Sequence, residues 1–267
     1  MRNSLDFWRK LMVEASTFID YGTDIPDLEP LFLSVWANHY RKISAIAKPG
    51  TDFLEIGTGF GVLAAGIARL SGKKGVSIEH PSREYFFSTS YLEFLRSDSI
   101  SMVGCDLKEG LPFQDNSFSL IYLCDVIEHL FFMDVRTLLN EVFRVLTPGG
   151  ELVISTPNLN RLGNVVRMMR GYSPNPPLYA ESCGETYGHI RELAPKELVF
   201  LLQKHGLVVK RKAFGLNSFF TAQAFGEENI FSERATAWVN GLTKNLSKIM
   251  PWLADEIYLV AEKKVLR

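Results

Sequence analysis

The sequence predicts an α/β fold: a seven-stranded, mostly parallel sheet with an antiparallel last strand and helices on both faces. Two observations favour this fold. From Thr51 to Ser155, strand-like apolar segments alternate with segments of helical periodicity, which is the pattern of a parallel sheet covered by helices. A final apolar segment, Glu256 to Glu262, follows a long helical stretch and supplies the last strand.

The expected strands are short apolar runs bounded by turn residues. In chain order they are Asp52 to Ile56, Gly75 to Glu79, Ile100 to Gly104, Phe118 to Cys124, Glu151 to Ser155, Leu207 to Ala213 and Glu256 to Glu262.

The expected helices follow from apolar residues at helical spacing. The most regular stripe lies before the fifth strand, and Thr147 to Gly150 (TPGG) should stop that helix and turn the chain into the strand. A helix from Pro195 to His205 should end at Gly206. The stripes are Val135, Leu138, Leu139, Val142 and Leu146; Leu162, Val165, Val166 and Met169; and Ala235, Trp238, Val239, Leu242, Leu246 and Ile249.

These elements suggest one core domain with insertions. Residues 1–48 form a helical cover at the mouth of the sheet, and 49–213 form the core, with a polar lid at 157–188. Residues 214–251 are a helical insertion, which we expect to pack on the core or on a second subunit of a homodimer. Residues 252–267 complete the core.

Composition excludes several classes of protein. Lys plus Arg number 29 against 30 for Asp plus Glu, so no basic field exists to hold nucleic acid. Cys105, Cys124 and Cys183 are too scattered for a disulfide framework or a CxxC metal site. No run reaches the roughly 18 to 20 apolar residues of a membrane-spanning helix, and no signal peptide is evident. We therefore expect a soluble, cytoplasmic protein.

The most specific motif runs from Asp52 to Gly61 (DFLEIGTGFG): a strand ending in an acid, then a glycine-rich turn. Position 62 is Val, so the third glycine of a dinucleotide-binding GxGxxG motif is missing. The acid-x-G-x-G-x-G pattern resembles the first motif of class I S-adenosylmethionine-dependent methyltransferases. The resemblance continues to about Val209 and implies a Rossmann-like core that binds this cofactor.

The resemblance assigns the cofactor site to the ends of successive strands. It places Glu55 near the methionine amino group, and the loop of Gly57, Thr58, Gly59 and Gly61 along the cofactor. Glu79 would accept from the ribose hydroxyls, with His80 beside it, and Asp106 and Leu107 would meet the adenine. Asp106 could instead only cap the next turn. Asp125 completes an acidic lining that suits a positively charged sulfonium.

The candidate reaction centre follows the fourth strand, where Asp125 to His129 (DVIEH) is expected to open a helix. Asp125 and Glu128 also fit a capping box. His129 could take a proton from a hydroxyl nucleophile, and His189, which follows the lid, could assist it. The run resembles ubiquinone-pathway O-methyltransferases and small-RNA end methyltransferases, some of which bind a divalent metal. Asp125, Glu128 and His129 on one helix face, with His189 as the later histidine of that pattern, could hold such an ion, although many relatives keep the Glu-His pair without metal. We expect His39 and His205 to be surface or capping residues.

The lid resembles those of bacterial methyltransferases that modify surface glycans and small metabolites. We therefore expect O-methylation of a hydroxyl on a sugar, a glycan precursor or a small metabolite. A quinone- or phenol-type acceptor remains an alternative, as do a noncatalytic cofactor-binding subunit and a nicotinamide-dependent oxidoreductase. Two groups of residues could contact the acceptor. The arginines could bind a phosphate on it, or could instead form a solvated helix face: Arg161, Arg167 and Arg170. The tyrosines could offer it flat surfaces: Tyr172, Tyr179 and Tyr187.

Overall fold

A computed structural model describes residues 3–18, 30–46, 50–174, 189–216 and 233–264. Residues 175–188 of the predicted lid, including Tyr179, Cys183 and Tyr187, lie outside these residues, as does part of the 214–251 insertion. The proposed domain boundaries therefore stay a prediction.

The described chain forms the predicted seven-stranded sheet, in the order β3-β2-β1-β4-β5-β7-β6. Strand β7 runs antiparallel to both β5 and β6, and the pairs among β1 to β5 are parallel. The strands are β1 (Phe53–Ile56), β2 (Gly75–Glu79), β3 (Ile100–Gly104), β4 (Phe118–Cys124), β5 (Leu146–Pro157), β6 (Leu207–Gly215) and β7 (Glu256–Lys263). The predicted fold class is confirmed.

Helices cover both faces of the sheet because consecutive strand residues point to opposite sides. Phe53 of β1 joins one buried cluster, with Trp8 and Tyr91, and its neighbour Leu54 joins the other, with Leu138 and Leu202. The helices are α1 (Leu5–Ser16), α2 (Pro30–Ile46), α3 (Val62–Ser71), α4 (Thr89–Ser97), α5 (Phe132–Val145), α6 (Leu162–Met169), α7 (Pro195–Lys204) and α8 (Glu233–Leu246).

The N-terminal cover consists of two helices, of which the sequence indicated α2 most clearly. Helix α1 packs against α3: the ring of Trp8 occupies the space where a side chain on Gly66 of α3 would stand, 2.0 Å from an ideal Cβ. Helix α2 packs against α1 and α3 and also contacts β5 and β6. Of these two helices, α2 is thus the one that reaches strands of the sheet.

The start of β5 differs from the prediction. Residues 147–150 were expected to separate helix and strand, but the strand already begins at Leu146, which pairs with Phe118. The register then shifts, so that Leu120 pairs with Glu151, and Gly149 adopts a φ of 76° within the irregular stretch. The TPGG segment is thus a bulge inside the strand, since a bulge lets extra residues leave the ladder without ending it.

Helix α6 buries only part of its apolar stripe. Leu162 is buried and Met169 is 82% exposed, while the polar residues Asn164 and Arg167 are buried as well. Trp238 on α8 is also exposed, although the stripe to which it belongs was expected to pack. Helix α8 does contact α6 and the turn at Pro251–Leu253. Among the described helices, none is long and apolar enough to cross a membrane.

Candidate functional site

A cavity of about 780 Å³ opens at the carboxyl ends of β1, β2 and β4 and beside the loop that follows β3. Nine of the ten positions that we assigned to the cofactor line it, together with His129. They are Glu55, Gly57, Thr58, Gly59, Glu79, His80, Asp106, Leu107 and Asp125. The exception is Gly61, which is the N-cap residue of α3.

The glycine loop is held against the neighbouring strand. The amides of Gly57 and Thr58 donate to the carbonyl oxygen of Ile78 in β2, at 3.0 and 3.2 Å. Gly57 has a φ of 81°, and a Cβ there would lie 2.4 Å from Cγ2 of Val126. Glycine is therefore required both by the left-handed backbone and by the close approach of the next loop. The loop of residues 57–59, which we call the cradle, therefore lines the cavity.

Glu55 is buried at the end of β1, where its Oε2 accepts a hydrogen bond from the Ser77 hydroxyl at 2.8 Å. Burial raises the pKa of Glu55 to about 8, which the hydrogen bond from Ser77 only partly opposes. A cationic ligand would favour ionisation of this carboxyl, so Glu55 is suited to meet a positive charge.

A second group of acids lies toward the outer part of the cavity. Glu79 is 8% exposed, and its Oε2 accepts from the amide of Gly59 at 3.3 Å. Asp106 accepts from the amide of Lys108 at 3.0 Å, which holds its pKa below the ordinary value. It thus caps the following turn, as the simpler interpretation expected, and lines the cavity as well. His80 is more exposed, with Nε2 3.6 Å from Oδ2 of Asp106.

Asp125 does not open an α-helix, as the sequence suggested. It adopts a left-handed φ of 55°, and the next residues form a short 3₁₀ turn, Ile127–His129. Its carboxylate accepts from the Ser155 hydroxyl at 3.1 Å, while Nε2 of His39 lies 2.8 Å from Oδ2. Burial alone would raise the pKa of Asp125, but His39 and Ser155 bring it below its ordinary value.

His39 was expected to be a surface or capping residue, and that expectation was wrong. It is 2% exposed, and its Nδ1 lies 2.9 Å from the hydroxyl of Tyr258. His39 thereby connects helix α2 with Asp125 after β4 and with β7. By their spacing, Trp36, His39 and Tyr40 share one helix face, and Trp36 and Tyr40 line the cavity. This spacing was the sequence signal that could have indicated a buried position for His39. By contrast, His205 does cap α7, as expected.

Glu128, His129 and His189 form a compact polar cluster beside the cavity. Each offers one ligand atom within 4.8 Å of the others, so the cluster could hold a cation or exchange protons. Asp125 belongs to the His39 network instead, because the 3₁₀ turn replaces the helix face that we predicted. The rings of His129 and His189 meet edge to face, with centroids 4.9 Å apart.

Glu128 is fully buried. Its Oε2 accepts from the hydroxyl of Thr156 at 3.0 Å, and Oε1 has no hydrogen-bond partner among the described residues. Burial, together with the negative charge of Asp125, places the pKa of Glu128 well above its ordinary value. Its backbone carbonyl accepts from the amides of Ile190 and Arg191, which brings His189 to the 3₁₀ turn.

A buried ion pair supports His189. Glu192, with no exposed surface, accepts from Arg161 at 2.9 Å and from Asn164 at 3.0 Å, and lies 3.0 Å from Nδ1 of His189. Although burial alone would raise it, the hydrogen bond from His189 and the charge of Arg161 hold the pKa of Glu192 below its ordinary value. Arg161 is thus neither on a solvated face nor at the cavity, and Arg167 is buried too. Only Arg170, of the three arginines, is exposed.

The residues present fit S-adenosylmethionine. Gly57, Thr58 and Gly59 line the cavity, and a Cβ on Gly59 would meet no atom within 4 Å, so the backbone there is open to a ligand. Glu55 offers a buried carboxyl for a cation. Glu79 and Asp106 place carboxylate acceptors at the ends of β2 and β3, as ribose and adenine groups would require.

Comparisons with known proteins agree with this geometry. Residues 54–154 match the family model for the methyltransferase domain. The ubiquinone/menaquinone biosynthesis C-methyltransferase of Neisseria gonorrhoeae is 31% identical over 120 residues, or 45% of this chain and 48% of the relative. Phosphoethanolamine N-methyltransferase 2 of Caenorhabditis elegans is 29% identical over 110 residues, or 40% and 24%. This chain thus spans less than half the length of either relative.

A structural comparison supports the same fold. The S-adenosylmethionine-dependent methyltransferase from Methanosarcina mazei superposes with a TM-score of 0.57 at 16% identity, covering 84% of this chain and 98% of the other. The sheet order and the cavity at the glycine loop agree with the match of residues 54–154 to the family model for the methyltransferase domain.

Proposed function

We propose that this protein transfers a methyl group from S-adenosylmethionine to a hydroxyl group on a sugar, a glycan precursor or a small metabolite. The observation that carries the proposal is the position of His129, whose imidazole lines the cavity and is backed by Glu128 and His189. A hydroxyl must lose its proton during methylation, and an imidazole is suited to accept it near neutral pH.

The cofactor would lie along the glycine loop, with Glu55 at its methionine end and Glu79 and Asp106 at its nucleoside end. When bound, S-adenosylmethionine supplies a methyl group on a positively charged sulfur, which departs as a neutral thioether. The acidic side chains of the cavity favour the bound cation. Backbone contacts from Gly57 to Gly59 would fix its orientation.

The acceptor would enter past the wall formed by Trp36, Tyr40 and Leu130, which line the cavity together with His129. These side chains would exclude water and orient the acceptor toward the cofactor. Positioning of this kind can contribute about 7 to 11 kcal/mol in favourable cases. Proton removal by His129 would add roughly 10² to 10⁴ in rate.

A phenol- or quinone-type acceptor is the second candidate. It is favoured by the aromatic rings of Trp36 and Tyr40 in the cavity wall, which offer flat surfaces for a planar ring. The name of the N. gonorrhoeae relative assigns that protein to ubiquinone and menaquinone biosynthesis. Both candidates keep the same cofactor site and differ in the acceptor.

Labelled S-adenosylmethionine, tested against sugar, phenol and quinone-like acceptors, distinguishes the two candidates. We expect product with a sugar hydroxyl, and His129→Ala should lose most of the activity. His205→Ala is the matched control, because this histidine lies at the end of α7 and does not line the cavity. Cofactor binding by calorimetry without turnover of any acceptor would contradict the proposal and favour a noncatalytic binding subunit.

A further inference from the structure

The network around Glu192 has a chemical consequence for His189. An ionised carboxylate only accepts hydrogen bonds, so Nδ1 of His189, 3.0 Å from Oε1 of Glu192, must carry the proton of that contact. A neutral imidazole with a protonated Nδ1 keeps an electron pair on Nε2. Nε2 is then the nitrogen with which His189 serves the cluster of Glu128 and His129.

The same carboxylate is fixed from its other sides. Oε1 also accepts from Nη2 of Arg161 at 2.9 Å, and Oε2 accepts from Nδ2 of Asn164 at 3.0 Å. Arg161 and Asn164 are 2% and 1% exposed, and both come from the segment that follows β5. Because Nδ2 of Asn164 also donates to the carbonyl oxygen of Leu159, at 3.1 Å, the orientation of its amide is fixed. Glu192 therefore cannot turn away from His189 without leaving buried donors unpaired.

We propose that Glu192 is a positioning residue: held by Arg161 and Asn164, it fixes the tautomer of His189 so that Nε2 presents an electron pair to the reaction centre. The inference rests on the proposed function, since it assigns His189 a share in proton removal there. In the reaction, the acceptor O–H proton would pass to an imidazole nitrogen as the O–CH₃ bond forms and the methyl–sulfur bond breaks, with a neutral thioether as the leaving group. Glu192 touches neither partner and acts through His189 alone.

The first arm of the test needs no variant. Nitrogen-15 NMR of the full chain, labelled at histidine, reports which ring nitrogen of His189 is protonated. We expect the proton on Nδ1. A proton on Nε2 in the native protein would overturn the proposal, whether or not any acceptor has been found. This arm therefore separates a failure of the inference from a failure of the proposed function.

The second arm uses the double variant Arg161→Met with Glu192→Gln, which removes both charges and keeps the volume of the side chains close. The fixed Asn164 amide draws the glutamine oxygen, so the glutamine NH₂ faces His189 and Nε2 becomes the protonated nitrogen. We expect kcat to fall by about 10² or more, with the acceptor KM and the cofactor Kd within about threefold of native. Arg161→Lys, which retains the charged donor to Glu192, is the matched control and should keep the native tautomer and most of kcat.

A reversed tautomer with unchanged kcat would overturn the positioning role. So would a loss of kcat in the double variant with the tautomer unchanged, because packing alone would then explain the loss. Thermal denaturation of each variant shows whether it is folded. If the double variant does not fold, Glu192→Leu with Arg161→Leu provides the same comparison without any hydrogen bond to His189. A kcat near native in that variant would count against the proposal.

Discussion

The clearest quantitative test of the cradle is Gly57→Ala. At a φ of 81°, a side chain costs roughly 1 to 2 kcal/mol for the left-handed backbone. The added Cβ would also lie 2.4 Å from Cγ2 of Val126, an overlap that the loops must relieve, and overpacking of this kind costs about 1 to 3 kcal/mol. We therefore expect the free energy of unfolding to fall by about 2 to 5 kcal/mol.

The control is Gly59→Ala in the same loop. Its φ is 48°, and a Cβ there would find no protein atom within 4 Å, so only the backbone term, about 1 to 2 kcal/mol, should remain. Urea denaturation of the cofactor-free protein measures both losses. Because no cofactor is present, the comparison concerns the fold alone.

Val126→Ala tests the cause of the larger loss. In the Gly57→Ala background it removes the clashing methyl group and should recover about 1 to 3 kcal/mol. In the native background it should cost up to roughly 1.6 kcal/mol, the value for two buried methylene equivalents. The steric account of the cradle is refuted if Gly57→Ala and Gly59→Ala lower the free energy of unfolding equally. It is also refuted if the effects of Gly57→Ala and Val126→Ala are additive.

Three further predictions concern the titrating groups. Burial raises the pKa of Glu55 to about 8. Between about pH 4.5 and 8 the Glu55 carboxyl is therefore protonated in the folded apo-protein and ionised in the unfolded chain. The free energy of unfolding should fall as the pH rises through that window. Glu55→Gln should abolish that part of the slope in urea denaturation; an unchanged slope would contradict the assignment. Cofactor affinity should rise from pH 6 to 7.5 in the native protein and stay nearly level in Glu55→Gln, measured by calorimetry. His129→Ala should lower kcat by about 10² to 10⁴ with cofactor affinity nearly intact, and full activity after exhaustive chelation, with no metal detected, would eliminate an essential ion.

Much of the fold and the cofactor side of the site could be predicted because both depend on local order. A strand ends at a turn, and in a parallel sheet the carboxyl ends share one edge, so Glu55, Glu79 and Asp106 had to lie near one another. The sequence also placed His129 at this edge. These positions needed no knowledge of distant contacts.

The positions that sequence reasoning missed depend on partners far along the chain. His39 and Tyr258 come from opposite ends of the sequence, and no periodicity predicts that they meet. The burial of Arg161 and Asn164 was missed for the same reason: polar side chains are normally exposed, but Glu192 supplies a charge and an acceptor with which both are buried. The left-handed Asp125 has no local signal, since its conformation is stabilised by His39 and Ser155.

The contact of His39 with Asp125 and Tyr258 bears on how far this protein can be trimmed. A fragment limited to the matched residues 54–154 would keep the glycine loop but lose Trp36 and Tyr40 from the cavity wall. It would also leave the Asp125 carboxylate without the imidazole beside it. Any graft or chimera should carry α2 and β7 together, because α2 supplies part of the cavity wall and His39 connects it to Tyr258 of β7.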